Sequence, residues 1–140
     1  MAPAGGDVST TAKHPATRAL DAILAALDDA GIVATRDAGS FYPQPAGILV
    51  GLPELTRRTA GARIFEIPVL VVSGDPLNSE LAVDRIYALA DDVALALAID
   101  AYSISSWRSS VNAEPLPAIE LAAVVTVTET ALALIEQEGS

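Results

Sequence analysis

The sequence predicts an α+β fold, a two-layer sandwich with two helices on one face of an antiparallel sheet of four to five strands, in the order α-β-β-α-β-β. Three stretches carry that prediction. Pro15 to Ala30 repeats apolar side chains at helical spacing. Arg63 to Ser73 is a long β-branched run that breaks at Gly74-Asp75-Pro76 and hands the chain to a second helical pattern, Leu77 to Ala98. Ala118 to Thr128 closes the pattern with strand alternation.

Met1 to Lys13, with Pro3, Gly5, Gly6 and a Ser-Thr-Thr run, has too little apolar content to order itself and is expected to form a flexible arm. The first helix follows, with Ala16, Leu20, Ile23, Leu27 and Ala30 on one face and Gly31 as its stop. Ile32 to Arg36 has room for a short strand, Asp37 to Pro45 is rich in turn residues, and Phe41-Tyr42 is expected to lid the core. Ile48 to Leu52 reads as a compact apolar strand. Pro53 to Ala62, carrying Glu54, Arg57 and Arg58, reads as a connection longer than a tight hairpin that projects from the body.

In the long strand, Phe65, Ile67, Val69 and Val71 share one face, while Leu70 and Val72 make part of the other face apolar. Pro68 has no N–H to give and points to an edge or a bulge. Asp75 and Pro76 read as the cap and first residue of the second helix, which turns Ala82, Ile86, Leu89, Val93 and Leu97 inward and Glu80, Asp84 and Asp91 outward. Tyr102 to Ser109 is expected to be a strand with Trp107 on the face opposite Tyr102 and Ile104, and Ser110 to Pro117 a long loop. In the closing strand Ala122 and Val124 again leave the outer face greasy. Glu129 to Ser140 suits either a strand extension or a short docking helix, so the domain proper is expected to run from residue 14 to 128. Two helices cover one sheet face only, and an apolar second face marks an interface. Self-association is therefore expected on residue chemistry alone.

Composition narrows the function classes. Eight basic against eighteen acidic residues, net −10, disfavour wrapping a nucleic acid but suit a surface past which one slides. There is no cysteine, hence no disulfide framework or thiolate metal site. Acidic residues interrupt every apolar run before it reaches the ~18 residues of a membrane span. The start of the chain lacks the basic and apolar segments of a signal peptide. His14 is the single histidine, the serines at 103, 105, 106, 109 and 110 have no basic partner in sequence, and neither a Gly-x-Ser-x-Gly elbow nor a phosphate loop occurs. Neighbouring acids such as Asp28/Asp29 and Asp91/Asp92 splay about 100° apart on a helix and do not converge. The expectation is a protein with no catalytic, cofactor-binding or metal-ligating residues. Arg57, Arg58, Arg63, Arg85 and Arg108 are the candidate contact residues, because guanidinium groups pair well with the carboxylates an acidic protein brings to its own seams. Trp107 suits an interface anchor or the core equally.

The helix with Leu20, Ile23, Leu24 and Leu27, the strand Phe65 to Val72 followed by Asp75-Pro76 and a long helix, and the closing strand Leu116 to Val127 together resemble the tail terminator proteins of long-tailed, siphovirus-type bacteriophages. The resemblance spans residues 15 to 128 and is one of element order. It implies a structural virion protein at the head-proximal end of the tail, a homo-hexameric ring that ends tube growth and meets the tail tube protein on one side and the head–tail connector or stopper on the other. DNA passes through such a ring without specific binding, and no membrane or cofactor is involved. On this reading Leu70, Val72, Val124, Trp107, Arg63 and Arg108 lie at seams, Arg57 and Arg58 meet the next ring or subunit, and Glu80, Asp84, Asp91 and Asp92 face the lumen. The rival readings are a head–tail completion, stopper or tube subunit, and a cytoplasmic ferredoxin-like ligand-binding regulatory module.

Overall fold

The first helix, α1 (Pro15–Asp29), starts where two local signals coincide: Pro15 occupies its first turn and His14 caps it, the ring Nδ1 accepting from the Ala16 N–H at 2.9 Å. A computed structural model describes residues 13–77, 79–110 and 113–128; the expected N-terminal arm and C-terminal tail otherwise lie outside the described residues. Ala19, Leu20, Ile23 and Leu27 form the buried stripe of α1. Its end is set by Gly31, whose φ of +76° is a conformation other residues adopt only with strain.

Five strands follow: β1 (Ala46–Val50), β2 (Glu54–Thr59), β3 (Ala62–Ser73), β4 (Ser103–Trp107) and β5 (Leu116–Thr128), with α2 (Glu80–Leu97) between β3 and β4. All pair antiparallel, in the order β1-β3-β5-β4, and β2 also pairs with β3. The architecture is the expected α+β two-layer sandwich. β3 is its spine: β1 covers residues 69–73 and β2 covers residues 62–66 of the same edge, end to end, while β5 runs along the whole of the other edge. Pro68 sits in the gap between β1 and β2, where a missing N–H costs no ladder bond, and its carbonyl accepts from Gly51 N–H at 2.8 Å. A single parallel bridge, Thr35 to Leu49, flanks β1 where a short strand was expected.

The core lies between helices and sheet. Phe65, Ile67, Val69 and Val71 of β3 face Ile119, Leu121 and Ala123 of β5 and Ile86, Ala90 and Val93 of α2, all buried. Sequence periodicity put these residues on the inward face, except Ala90, which is buried where Leu89 and Leu97, both half-buried, were expected.

Three local expectations need correction. The stretch Pro53 to Ala62 is no loose connection: Glu54–Thr59 is a strand, and only Ala60 and Gly61 separate it from β3 in a tight hairpin. Leu77 is not helical, because α2 begins at Glu80; Ser79 is the cap, its Oγ accepting from Ala82 N–H at 3.2 Å, while Asp75 instead closes the preceding turn by accepting from Leu77 N–H at 2.9 Å. Tyr42 is 79% exposed and covers nothing; Phe41 alone turns inward, and toward the back of the sheet.

Candidate interaction surfaces

The back of the sheet, away from the helices, divides into a roofed half and an open half. The segment between α1 and β1 folds behind β1, held to the end of β3 by Gly74 N–H to the Pro45 carbonyl at 2.9 Å and by Gln44 Nε2 to the Gly74 carbonyl at 3.0 Å. That brings Phe41 over Gly47, so close that a Cβ there would lie 2.7 Å from Phe41 Cε1. Across the sheet Phe41 meets Trp107 edge to face, with ring centroids 5.0 Å apart and planes at 88°. Val72, paired with Gly47 on one side and Ala118 on the other, is fully buried beneath this roof.

Two expected interface residues thereby change role. Val72 is shielded by the chain's own aromatic roof and cannot be a seam. Trp107 is a partly buried member of that roof. Leu70 is half-buried, and only further along does the back open, at Ala122 and at Val124, which is 65% exposed. Glu66 lies between Glu54 and Val124 on the same face, so the open half is acidic as well as apolar.

The cationic end of the molecule is the β2–β3 hairpin. Every residue of β2 is exposed, and Arg57 and Arg58 stand opposite Ile64 and Arg63, after a register shift between Leu55 and Arg57. Arg58 and Arg63 are like charges directly opposite, an arrangement that costs stability in an isolated hairpin. Arg63 Nη1 also approaches His14 Nε2 at 3.4 Å, so the N-terminus of α1 adds to the same positive region. Among the described residues neither Arg57 nor Arg58 pairs with a carboxylate. Arg108 is exposed just past β4, and Arg85 on α2 lies near enough to influence Asp75.

On α2, Glu80, Asp84, Asp91 and Asp92 are all exposed. With successive helical residues about 100° apart, Glu80, Asp84 and Asp91 share an arc of about 40°, whereas Asp92 lies about 80° beyond it. Between the two acidic rims runs an unexpected apolar stripe, Leu81, Ala88 and Leu95, at seven-residue spacing; the leucines are 66% and 84% exposed. The signal was present in the sequence as a second periodicity on the helix, hidden beneath the stronger inward one. Leu95 and Asp92 also border a cleft of about 530 Å³ between α2 and β1, lined by Ile32, Val33, Ile48 and Leu89.

Two titrations are displaced. Hydrogen bonds from the Ser79 side chain and then the Leu77 N–H hold the Asp75 carboxyl below the usual carboxylate range. The bond from Tyr102 Oη to Asp91 Oδ1, 2.9 Å, raises the Tyr102 hydroxyl above its ordinary range. Both residues are half-buried, and their bonds serve the local structure. Among the described residues no three His, Asp or Glu side chains converge as a metal set, and no helix is long and apolar enough to cross a membrane. No protein-family model matches the sequence, and neither a curated protein nor a solved structure does.

Proposed function

We propose that the chain is a structural ring subunit of a long-tailed bacteriophage, a tail terminator whose homo-hexamer ends growth of the tail tube and joins it to the head connector. The observation that carries this reading is the apolar surface left open on two sides of one small fold, Ala122 and Val124 behind the sheet and Leu81 with Leu95 outside α2. Surfaces of that kind are covered by other protein, and head-to-tail contacts close into rings when the rotation permits. The net charge of −10 suits a channel through which DNA passes without adhering. A ring has two uses for the α2 carboxylates: they face the channel, or they face cations of the neighbouring copy.

Negative-stain imaging of the purified protein, alone and mixed with tail tubes, tests the proposal. Rings of tail diameter, or caps on tube ends, are the expected result. A monomer that never forms rings even with tubes present would overturn it. The same images distinguish a terminator from a tube subunit, which polymerises into long cylinders. One observation favours the regulatory-module reading, the cleft beside β1, whose apolar lining and single nearby carboxylate, Asp92, suit a small cationic or apolar ligand.

A further inference from the structure

Resting on the ring reading, we infer that the seam between subunits is formed by the β2–β3 hairpin of one copy laid end-on against the outer face of α2 in the next. The α2 carboxylates then face arginines of the neighbour, and the channel is lined by other residues.

The two surfaces match in shape of chemistry. On α2, the exposed Leu81, Ala88 and Leu95 lie between Asp84 and Asp91 on one rim and Asp92 on the other. On the hairpin, Leu55 is 47% exposed on the same strand as Arg57 and Arg58. Each presents aliphatic surface beside charge that makes no ion pair among the described residues, and the charges are opposite. Arg57 and Arg58 fall on opposite faces of the hairpin tip, so a tip presented end-on brings both guanidinium groups to an acidic helix.

The contact has to be between copies. The cleft residues Asp92 and Leu95 lie beside Ala46 to Ile48, which pair with residues 71–73 of β3, whereas Arg57 is opposite Ile64. Those positions are separated by about 25 Å along an extended strand. A positive patch and a negative patch at different ends of one chain cannot satisfy each other at home, but they join head to tail without limit until the ring closes. A second copy is the occupant favoured over a basic segment of another protein because this chain carries both halves of the match.

The absence of native cysteine makes the test clean. Arg57→Cys and Asp92→Cys are prepared as separate proteins and oxidised alone and mixed. Since a disulfide needs Cα atoms within roughly 7 Å, the head-to-tail seam predicts a cross-linked dimer in the mixture and none in either variant alone. Cross-linking within one variant alone means a two-fold seam and overturns the inference. Charge reversal supplies the second measurement: Arg57→Glu/Arg58→Glu and Asp84→Arg/Asp92→Arg should each weaken self-association at least about tenfold, and mixing them should restore it. The restored ring alternates the two variants, so it closes only with an even number of subunits. Wild-type rings that tolerate both reversals and give no mixed cross-link refute the seam while leaving the ring reading intact. Wild-type protein that forms no ring with tubes present defeats the ring reading, and this inference with it.

Discussion

Replacing Phe41 with alanine tests whether the roof over the back of the sheet is a working part of the fold. Phe41 is half-buried, packs edge to face on Trp107 at 5.0 Å and stands over Gly47 beside the fully buried Val72. Truncating a fully buried phenylalanine costs about 3–5 kcal/mol, and half burial scales that to about 2 kcal/mol, the aromatic contact included. For a chain of this length such a loss lowers Tm by roughly 7 °C. The assay is urea unfolding at matched protein concentration, followed by far-UV circular dichroism and by Trp107 fluorescence. Because Trp107 is the single tryptophan, its emission reports on this roof alone. The folded variant should show a red-shifted emission maximum as water reaches the indole. Tyr42→Ala is the control: its ring is 79% exposed and should change stability by less than about 0.5 kcal/mol. A Phe41→Ala protein with the stability and emission of the parent would mean that the segment does not lie over Val72, and the back of the sheet would again be bare along its whole length.

Four further outcomes are expected. Gly47→Ala places a methyl 2.7 Å from Phe41 Cε1 and 3.2 Å from the Pro43 Cα, so it should cost about 1–3 kcal/mol, read by the same unfolding assay, and shift Trp107 emission. Leu121→Ala, in the fully buried centre of β5, should cost about 2–5 kcal/mol, measured by thermal unfolding. Asp75 has a folded pKa depressed by its hydrogen bonds, so its contribution is present above the unfolded carboxylate pKa and is lost as pH falls through the folded value; Asp75→Asn should flatten the acid limb of a stability-versus-pH curve. Tyr102 has a folded pKa raised by Asp91, so its contribution is complete below the unfolded tyrosine pKa and disappears as pH rises through the folded one; Tyr102→Phe should remove that alkaline loss.

Much of the fold was legible because the buried elements obey one period each. The core faces assigned to β3 (Phe65, Ile67, Val69, Val71) and to β5 (Ile119, Leu121, Ala123, Val127) are buried, as are Leu20, Ile23 and Leu27 of α1, whereas Ala30 of the assigned α1 face is exposed and the buried Ala19 falls outside it. What escaped depends on contacts between residues far apart in sequence or on a break in period. β2 reads Glu-Leu-Thr-Arg-Arg-Thr, and the register shift between Leu55 and Arg57 destroys the alternation by which a strand is recognised. Edge strands are also charged by necessity, so their composition resembles that of a loop. The roof over Val72 was invisible for another reason: no local pattern tells that Phe41 returns to lie on β1. The clue was Gly47, a residue without a side chain in an otherwise bulky strand, which leaves room for an aromatic ring.

With Val72 buried, the apolar surface open to a second copy lies on other residues. A uniformly bare sheet back would have favoured two copies packed face to face, a closed dimer with no free end. Roofing half of that face leaves too little continuous apolar area there for such a dimer, with only Ala122, Val124 and part of Leu70 open and Glu54 and Glu66 beside them. Two acidic backs brought together also repel. Leu81 and Leu95, two of the exposed aliphatic groups, lie on the other layer, and the exposed Arg57 and Arg58 lie on the hairpin at the far end of β3. On the proposed ring reading, complementary surfaces that differ and sit apart meet head to tail. That geometry is what a ring requires and what a two-fold dimer lacks, so the residue that failed as a seam strengthens the case for a head-to-tail one.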